Sequence, residues 1–197
     1  MYELKIQKNK IRSRYIEQRR SLDPQVKQSR DSRICSLFMS LVTYRYADTL
    51  LMYYPTKREI DVLPIVRRAL QDDKQVAFPR CNVQNHTMEF YLVRELSDLR
   101  ENGAFGTPEP KDHCARYMKN ETDGKAVCVI PAIVYDTSGY RLGYGKGFYD
   151  RYLSDFYGVK VGMVYQDFIV PSVPRGRFDL SVDVLVTEKG VKALHAD

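Results

Sequence analysis

Apolar and polar positions change rhythm along the chain, and the rhythm predicts a series of helices and strands. Residues 3–20 read as a polar, basic helix with few apolar anchors: Leu4, Ile11 and Tyr15. Asp23-Pro24 makes a helix start, an acceptor side chain followed by proline at the first helical position. Ile34, Leu37, Phe38 and Leu41 recur at helical spacing, which predicts an amphipathic helix over 24–41. The run from Thr49 to Tyr54 reads as a buried strand ended by Pro55. A helix is predicted from Asp61 to Leu70, with Pro64 in its first turn, then short strands at Gln75–Phe78 and Met88–Val93. Residues 103–110 read as irregular. Ala126 to Val134 is apolar on both faces, as expected for the central strand of an α/β sheet. After a glycine loop at 139–147, a helix is predicted from about Phe148 to Phe156, and Val159–Tyr165 and Val182–Thr187 complete the strands. The alternation predicts a three-layer α/β fold: an open, mostly parallel or mixed sheet with helices on both faces.

Composition narrows the class. At 197 residues the chain is expected to form one domain, without repeats or linkers. The longest apolar run, Ala126 to Tyr135, is interrupted by Pro131 and is about half the length of a membrane span. No apolar signal segment opens the sequence, and Cys35, Cys81, Cys114 and Cys128 form no C-x-x-C. A reduced, cytoplasmic protein without membrane attachment is therefore expected. The net charge of +6 is concentrated. Residues 1–33 hold ten basic and four acidic side chains, so the remainder is formally neutral. Such a cluster either attracts an anion or forms a solvated helix face.

Most of the chemistry lies between Tyr135 and Arg151. Gly143, Gly145 and Gly147 allow a sharp turn that presents backbone N–H groups to an anion at a strand-to-helix junction. Arg141 and Lys146 add cations. Lys146 is followed by glycine rather than Ser or Thr, so the segment is not a Walker A loop, and the third glycine comes too early for a dinucleotide fingerprint. Asp150 either complements the helix dipole or, beside phosphates, holds Mg²⁺ with a second carboxylate, Asp179 or Asp183. Of the histidines His86, His113 and His195, none has sequence neighbours that make a metal site; His113-Cys114 stands alone.

The stretch Arg141-Leu142-Gly143-x-Gly145-x-Gly147-Phe148-Tyr149-Asp150-x-Tyr152-Leu153 resembles the signature of 5-formyltetrahydrofolate cyclo-ligases, also called methenyltetrahydrofolate synthetases. Other segments follow in the family's order: Lys8-x-x-x-Arg12, Tyr54-Pro55 with Glu59-Ile60, Phe78-Pro79-Arg80, Gly106-x-Pro108-Glu109-Pro110, and Asp179-x-x-Val182-Asp183 before Thr187-Glu188. Two positions depart from the pattern. Tyr144 stands where the family often has Arg, and Phe178 where a polar residue is common.

The resemblance implies a ligase that converts 5-formyltetrahydrofolate, polyglutamylated or not, to 5,10-methenyltetrahydrofolate while ATP becomes ADP and phosphate. Phosphorylation of the formyl oxygen followed by intramolecular N10 attack needs no enzyme nucleophile, and the sequence has no G-x-S-x-G and no Cys–His dyad. By the same resemblance, Lys8, Arg12, Arg141, Gly143, Tyr144, Gly145, Lys146, Gly147, Phe148 and Tyr149 bind ATP. Tyr54, Glu59, Tyr144, Gly145, Lys146, Gly147 and Phe148 border the folate. Lys146, Arg141 and Tyr149 act in catalysis, and Asp150 and Asp179 hold Mg²⁺. Arg80 and Phe105 are secondary candidates for nucleotide contact. The protein is expected to act as a monomer, without nucleic-acid or membrane partners.

Three rivals remain at this point. A nucleic-acid-binding protein would use the basic N-terminus through many phosphate contacts, but it leaves the glycine segment without a role. A sugar-phosphate isomerase on a similar sheet leaves Lys8, Arg12 and the Asp150–Asp179 pair unexplained. The third is a nucleotide-binding module without activity.

Overall fold

The computed structural model describes residues 2–101, 103–119 and 125–194. Helices α1 (Tyr2–Arg20), α2 (Pro24–Ser40) and α3 (Val42–Tyr46) precede strand β1 (Thr49–Leu51). Then come α4 (Leu63–Gln71), β2 (Gln75–Asn82), β3 (Thr87–Val93), β4 (Leu99–Arg100), β5 (Glu109–Pro110) and β6 (Ala126–Ile130). Strands β7 (Val134–Asp136) and β8 (Arg141–Leu142), helix α5 (Phe148–Leu153), and strands β9 (Val159–Met163), β10 (Ile169–Val170), β11 (Val184–Thr187) and β12 (Gly190–Ala193) follow. Among the described residues no helix is long and apolar enough to cross a membrane.

The main sheet has seven strands in the order β12-β11-β9-β6-β1-β2-β3. The inner five are parallel, and β12 and β3 pair antiparallel at the two edges. Every residue of β6 is buried, so both faces of the sheet are covered at its centre. From β1 the chain first moves outward to β2 and β3, then returns to β6 on the other side of β1. Strand order therefore reverses between β1 and β6, and open α/β sheets bind ligands outside the carboxyl ends of the strands at that point.

Asp23 caps α2 by accepting hydrogen bonds from the Gln25 and Val26 amides, with Pro24 at the first helical position. Buried Asp31 fixes this helix to the sheet, accepting from Lys27, from the Asp61 amide and from the Tyr165 hydroxyl. In α1 the residues turned inward are Leu4, Lys8, Ile11, Arg12, Tyr15, Ile16 and Arg19, a stripe at helical spacing that mixes cations with apolar anchors. Arg19 is buried and donates to the Ala132 and Ile133 carbonyls, which ties the helix to the turn after β6.

Several boundaries differ from those the pattern predicts. The apolar run beginning at Ala126 is two strands rather than one. Pro131 has no N–H to continue the ladder, β6 stops at Ile130, and β7 joins β8 and β10 in a separate three-stranded sheet. The glycine loop consequently leaves β8, not the central strand. Strand β1 ends at Leu51, and the Tyr53 hydroxyl donates to the Ile60 carbonyl and closes the 53–60 loop. Strand β2 runs on to Asn82 through its hairpin with β3. The polar edge strand β12 and the one-turn helix α3 carry no periodic signal long enough to predict.

Candidate active site

Two loops meet at the reversal of strand order. One follows β1 and carries Tyr54, Thr56 and Glu59; the other follows β8 and carries residues 143–147. Among the described residues, no backbone N–H of 143–147 donates to an acceptor within the chain. A row of unpaired amides on a tight glycine turn is a cradle for an anion. Gly145 (φ +89°) and Gly147 (φ +68°) are in the left-handed region that disfavours a side chain. A Cβ at Gly145 would lie 3.0 Å from the Arg12 guanidinium, and one at Gly147 would lie 2.8 Å from that of Arg151. Gly143 has neither constraint, since its φ is ordinary and a Cβ there meets nothing within 4 Å. The three glycines are therefore not equivalent, as their spacing had suggested.

Cations surround the cradle. Arg12 Nε donates to the Gly143 carbonyl at 2.8 Å, and Nη1 to Asn9 at 2.7 Å. Burial pulls the Arg12 pKa below its ordinary value, with Asp179 opposing, but a guanidinium stays charged. Lys8 pairs with Asp179 Oδ2 at 2.5 Å, and the Gly176 amide donates to the same oxygen at 2.7 Å. Arg151 donates to the Lys146 and His86 carbonyls and braces the loop from outside. Lys146 is exposed, and its ammonium has no partner among the described residues.

Arg141 is buried and directed to its own loop's neighbours. It donates to the Leu180 carbonyl at 3.0 Å and to Asp150 Oδ1 at 2.7 Å, while the Leu180 amide reaches that same oxygen at 3.3 Å. The segment that carries Asp179 is thereby drawn to Asp150 through Leu180. Each carboxylate keeps one oxygen without a partner among the described residues, Oδ2 of Asp150 and Oδ1 of Asp179. Asp183 instead turns its Oδ2 toward β9. It accepts from the Lys160 amide at 2.7 Å and pairs with the Lys160 ammonium at 3.2 Å.

On the other side, Glu59 is buried and accepts from the Thr56 amide at 2.9 Å. Tyr144 lies across from Thr56 and Glu59, and its pKa is raised by partial burial and by Glu59. The tyrosine that replaces the family's frequent Arg thus faces the Tyr54–Glu59 loop. Tyr54 is half-buried against Phe78, ring centroids 6.2 Å apart. Phe148 is buried with Phe105 edge-on at 5.7 Å. The Tyr149 hydroxyl is buried without a hydrogen-bond partner. Its pKa is held well above the ordinary value, first by burial and then by Cys128, Cys81 and Glu59, with Arg141 opposing.

Arg80 does not join the site. It stacks 4.1 Å from the Tyr91 ring centroid and donates to the Pro110 and Lys111 carbonyls, so its guanidinium is used in holding β5. Phe105 is half exposed with φ +64°, and its contact is with Phe148.

Comparisons with known proteins show which family the chain belongs to. The profile described as the 5-formyltetrahydrofolate cyclo-ligase family matches residues 4–188. A probable 5-formyltetrahydrofolate cyclo-ligase of Schizosaccharomyces pombe is 26% identical over 95% of this chain and 98% of its own. The solution structure of a 5,10-methenyltetrahydrofolate synthetase from Aquifex aeolicus superposes with a TM-score of 0.83 at 32% identity, covering 96% of this chain and 94% of that one. The corresponding synthetase from Mycoplasma pneumoniae, 20% identical, shares the fold with a TM-score of 0.73 over 92% of this chain and 98% of its own. With a match that spans nearly the whole sequence and a glycine loop built as an anion cradle, this chain belongs to the 5-formyltetrahydrofolate cyclo-ligase family.

Proposed function

We propose that this chain converts 5-formyltetrahydrofolate to 5,10-methenyltetrahydrofolate, with ATP hydrolysed to ADP and phosphate. The observation that carries this reading is the row of unpaired amides at 143–147, ringed by Lys8, Arg12 and Lys146 and facing the Tyr54–Glu59 loop. Such a row suits the phosphates of ATP, with the folate-side loop next to it.

A formamide carbon is a weak electrophile because its nitrogen donates into the carbonyl. Transfer of the ATP γ-phosphoryl group to the formyl oxygen converts that oxygen to a leaving group. N10 then attacks the carbon within the same molecule, its proton passes to solvent, and phosphate departs with the formyl oxygen as the five-membered ring closes. Positioning and charge neutralisation are what remain for the protein. The loop amides and Arg12 hold the phosphates, and Lys146, free to move, follows the group in transfer. Glu59 accepts hydrogen bonds from the pterin N–H groups, against the walls of Tyr54 and Phe148. The Tyr149 hydroxyl donates to the formyl oxygen as phosphate leaves, the partner it lacks in the free protein. Arg141 acts one step back, by holding Asp150 in place.

The free oxygens of Asp150 and Asp179 are hard donors that would hold a divalent cation such as Mg²⁺. Bound there, Mg²⁺ would supply charge neutralisation for the triphosphate.

An absorbance assay with ATP, Mg²⁺ and 5-formyltetrahydrofolate tests the proposal. The methenyl chromophore should appear in the near ultraviolet with one ADP per turnover. No chromophore, or turnover of ribose or glucosamine phosphates instead, overturns it.

A further inference from the structure

Away from the cradle, the fold assembles a group of side chains that the sequence keeps apart. Asp98, His113 and Cys114 each bring one ligand atom within 4.8 Å of the other two, and among the described residues they are the only such group of three metal-ligating side chains. We propose that they form a site for a thiophilic divalent cation of the Zn²⁺ type, with solvent as the fourth donor.

The carboxylate is already oriented. Asp98 Oδ2 accepts from the Arg94 amide at 2.8 Å and the Glu95 amide at 3.2 Å, which aims Oδ1 at His113 Nε2, 3.0 Å away. Backbone bonds hold the other two donors opposite it. The Lys111 amide donates to the Asp98 carbonyl at 2.9 Å, and the Cys114 amide to the Lys111 carbonyl at 3.1 Å. Cys114 is nearly buried with its thiol 3.8 Å from the Asp98 carbonyl, whereas the His113 side chain is 64% exposed and leaves an entry path.

Tetrahedral Zn²⁺ with bonds of about 2.0–2.3 Å places its donors about 3.4–3.6 Å apart. The observed spread reaches that with small side-chain rotations. An imidazole, a thiolate and one carboxylate suit Zn²⁺ better than Mg²⁺, which demands oxygen donors, so this cation is not the one at the nucleotide. On binding, the thiol proton passes to solvent and the Asp98–His113 hydrogen bond is exchanged for metal bonds. The site closes the base of the loop between β4 and β5, whose far end carries Phe105 against Phe148.

Co²⁺ is the probe, because a cobalt–thiolate bond gives a near-ultraviolet charge-transfer band that oxygen sites do not. The full chain, reduced and stripped of metal, should take up one Co²⁺ with that band, and Zn²⁺ but not Mg²⁺ should abolish it. Cys114→Ser should eliminate the band, and His113→Gln should weaken binding at least tenfold. Cys35→Ser and Cys81→Ser should leave the band unchanged. Asp98 also caps its own turn, so it is not the variant of choice. Should Cys114→Ser fail to fold, the exposed His113→Gln decides alone. No thiolate band in the wild type, or full binding in either ligand variant, overturns the site and leaves Asp98–His113 as a loop staple.

Discussion

Lys8 and Asp179 are separated by 171 positions in sequence and meet at 2.5 Å, their side chains 16% and 24% exposed. The first turns of the N-terminal helix and the segment before β11 are thereby joined across the mouth of the cradle. A candidate phosphate-binding cation and a candidate metal-binding carboxylate neutralise each other in the free protein. When nucleotide and Mg²⁺ arrive together, each can exchange its partner for a ligand of the same sign, so no charge is left bare. This pairing explains how an inward-facing lysine and a partly buried carboxylate are both tolerated next to unpaired amides.

If that exchange occurs, Lys8→Ala and Arg12→Ala should weaken ATP far more than folate. A charge-assisted hydrogen bond is worth about 1.5–3 kcal/mol, so each loss should raise the ATP Kd by roughly 10–150-fold. Isothermal titration with each ligand separates the two effects. A titration with duplex DNA at physiological salt is the counter-test, since tight binding with a steep salt slope would assign the basic helix to nucleic acid.

The glycines should separate in the same measurement. Gly143→Ala meets no atom and needs no unusual φ, and ATP affinity should stay within about 2-fold of wild type. Gly145→Ala combines a left-handed φ with a Cβ 3.0 Å from Arg12. Its conformational cost alone is on the order of 1–2 kcal/mol, so ATP should weaken at least tenfold, with little change in folate affinity. Equal behaviour of the two variants counts against the cradle.

These contrasts show where sequence reading reaches and where it stops. The Asp23-Pro24 cap, the apolar run at Ala126 and the Arg141–Asp150 segment are legible because each is local chemistry: a cap, a buried strand, a turn that needs glycine. The roles of Asp179 and Asp183 were not separable in this way. Lys160 claims Asp183 only through the pairing of β9 with the segment before β11, a register that no local pattern encodes. Likewise Asp98 joins His113 and Cys114 through the fold of the β4–β5 loop, and Arg141 turns to Asp150 rather than outward because Leu180 lies behind it.

The buried tyrosines and thiols give the protein an alkaline limit. Burial raises Tyr135, Tyr149, Tyr152 and Tyr165 above the ordinary phenol value and pushes the Cys35 and Cys128 thiols up to about 12. Each group is protonated more tightly in the folded state. Their contribution is therefore complete below the unfolded pKa, about 8.5 for thiols and about 10 for phenols, and is lost as pH rises through the folded values. Melting temperature should fall progressively above about pH 9. Phenolate absorbance should show these four tyrosines ionising only with unfolding, and four normal phenol titrations in the native protein would refute the burial.

Asp150→Asn tests two roles at once. Its charge faces Arg141, whose side chain is only 5% exposed, so neutralising Asp150 leaves a buried guanidinium without its counter-ion. Breaking a fully buried pair costs about 3–5 kcal/mol. Asp150 is 25% exposed and Asn keeps an acceptor, so a loss of about 1–2 kcal/mol is expected, more than a helix-end dipole partner alone would give. Turnover should fall by orders of magnitude and recover partly at high Mg²⁺. On the proposal that both hold one ion, Asp179→Asn should act alike and the double variant should be less than additively worse. An unchanged Mg²⁺ dependence in Asp150→Asn would restrict this carboxylate to positioning Arg141.

Tyr149→Phe sets stability against activity most directly. The hydroxyl is buried, with no acceptor or donor in the free protein, and an unsatisfied buried polar group costs about 1–3 kcal/mol. Phenylalanine keeps the ring that packs edge-on against Phe90 at 6.5 Å and removes only the orphaned oxygen. The folded protein should therefore hold its melting temperature or gain a few degrees, at about 2–4 °C per kcal/mol for a chain of this size. A hydroxyl kept without a partner at this cost is expected to find one during the reaction. If that partner is the formyl oxygen, removing the donor should lower kcat on the order of 100-fold while ATP affinity stays unchanged, because the phosphate cradle does not use the phenol. A variant with both higher stability and full turnover would show the hydroxyl to be a packing residue and would remove Tyr149 from the chemistry.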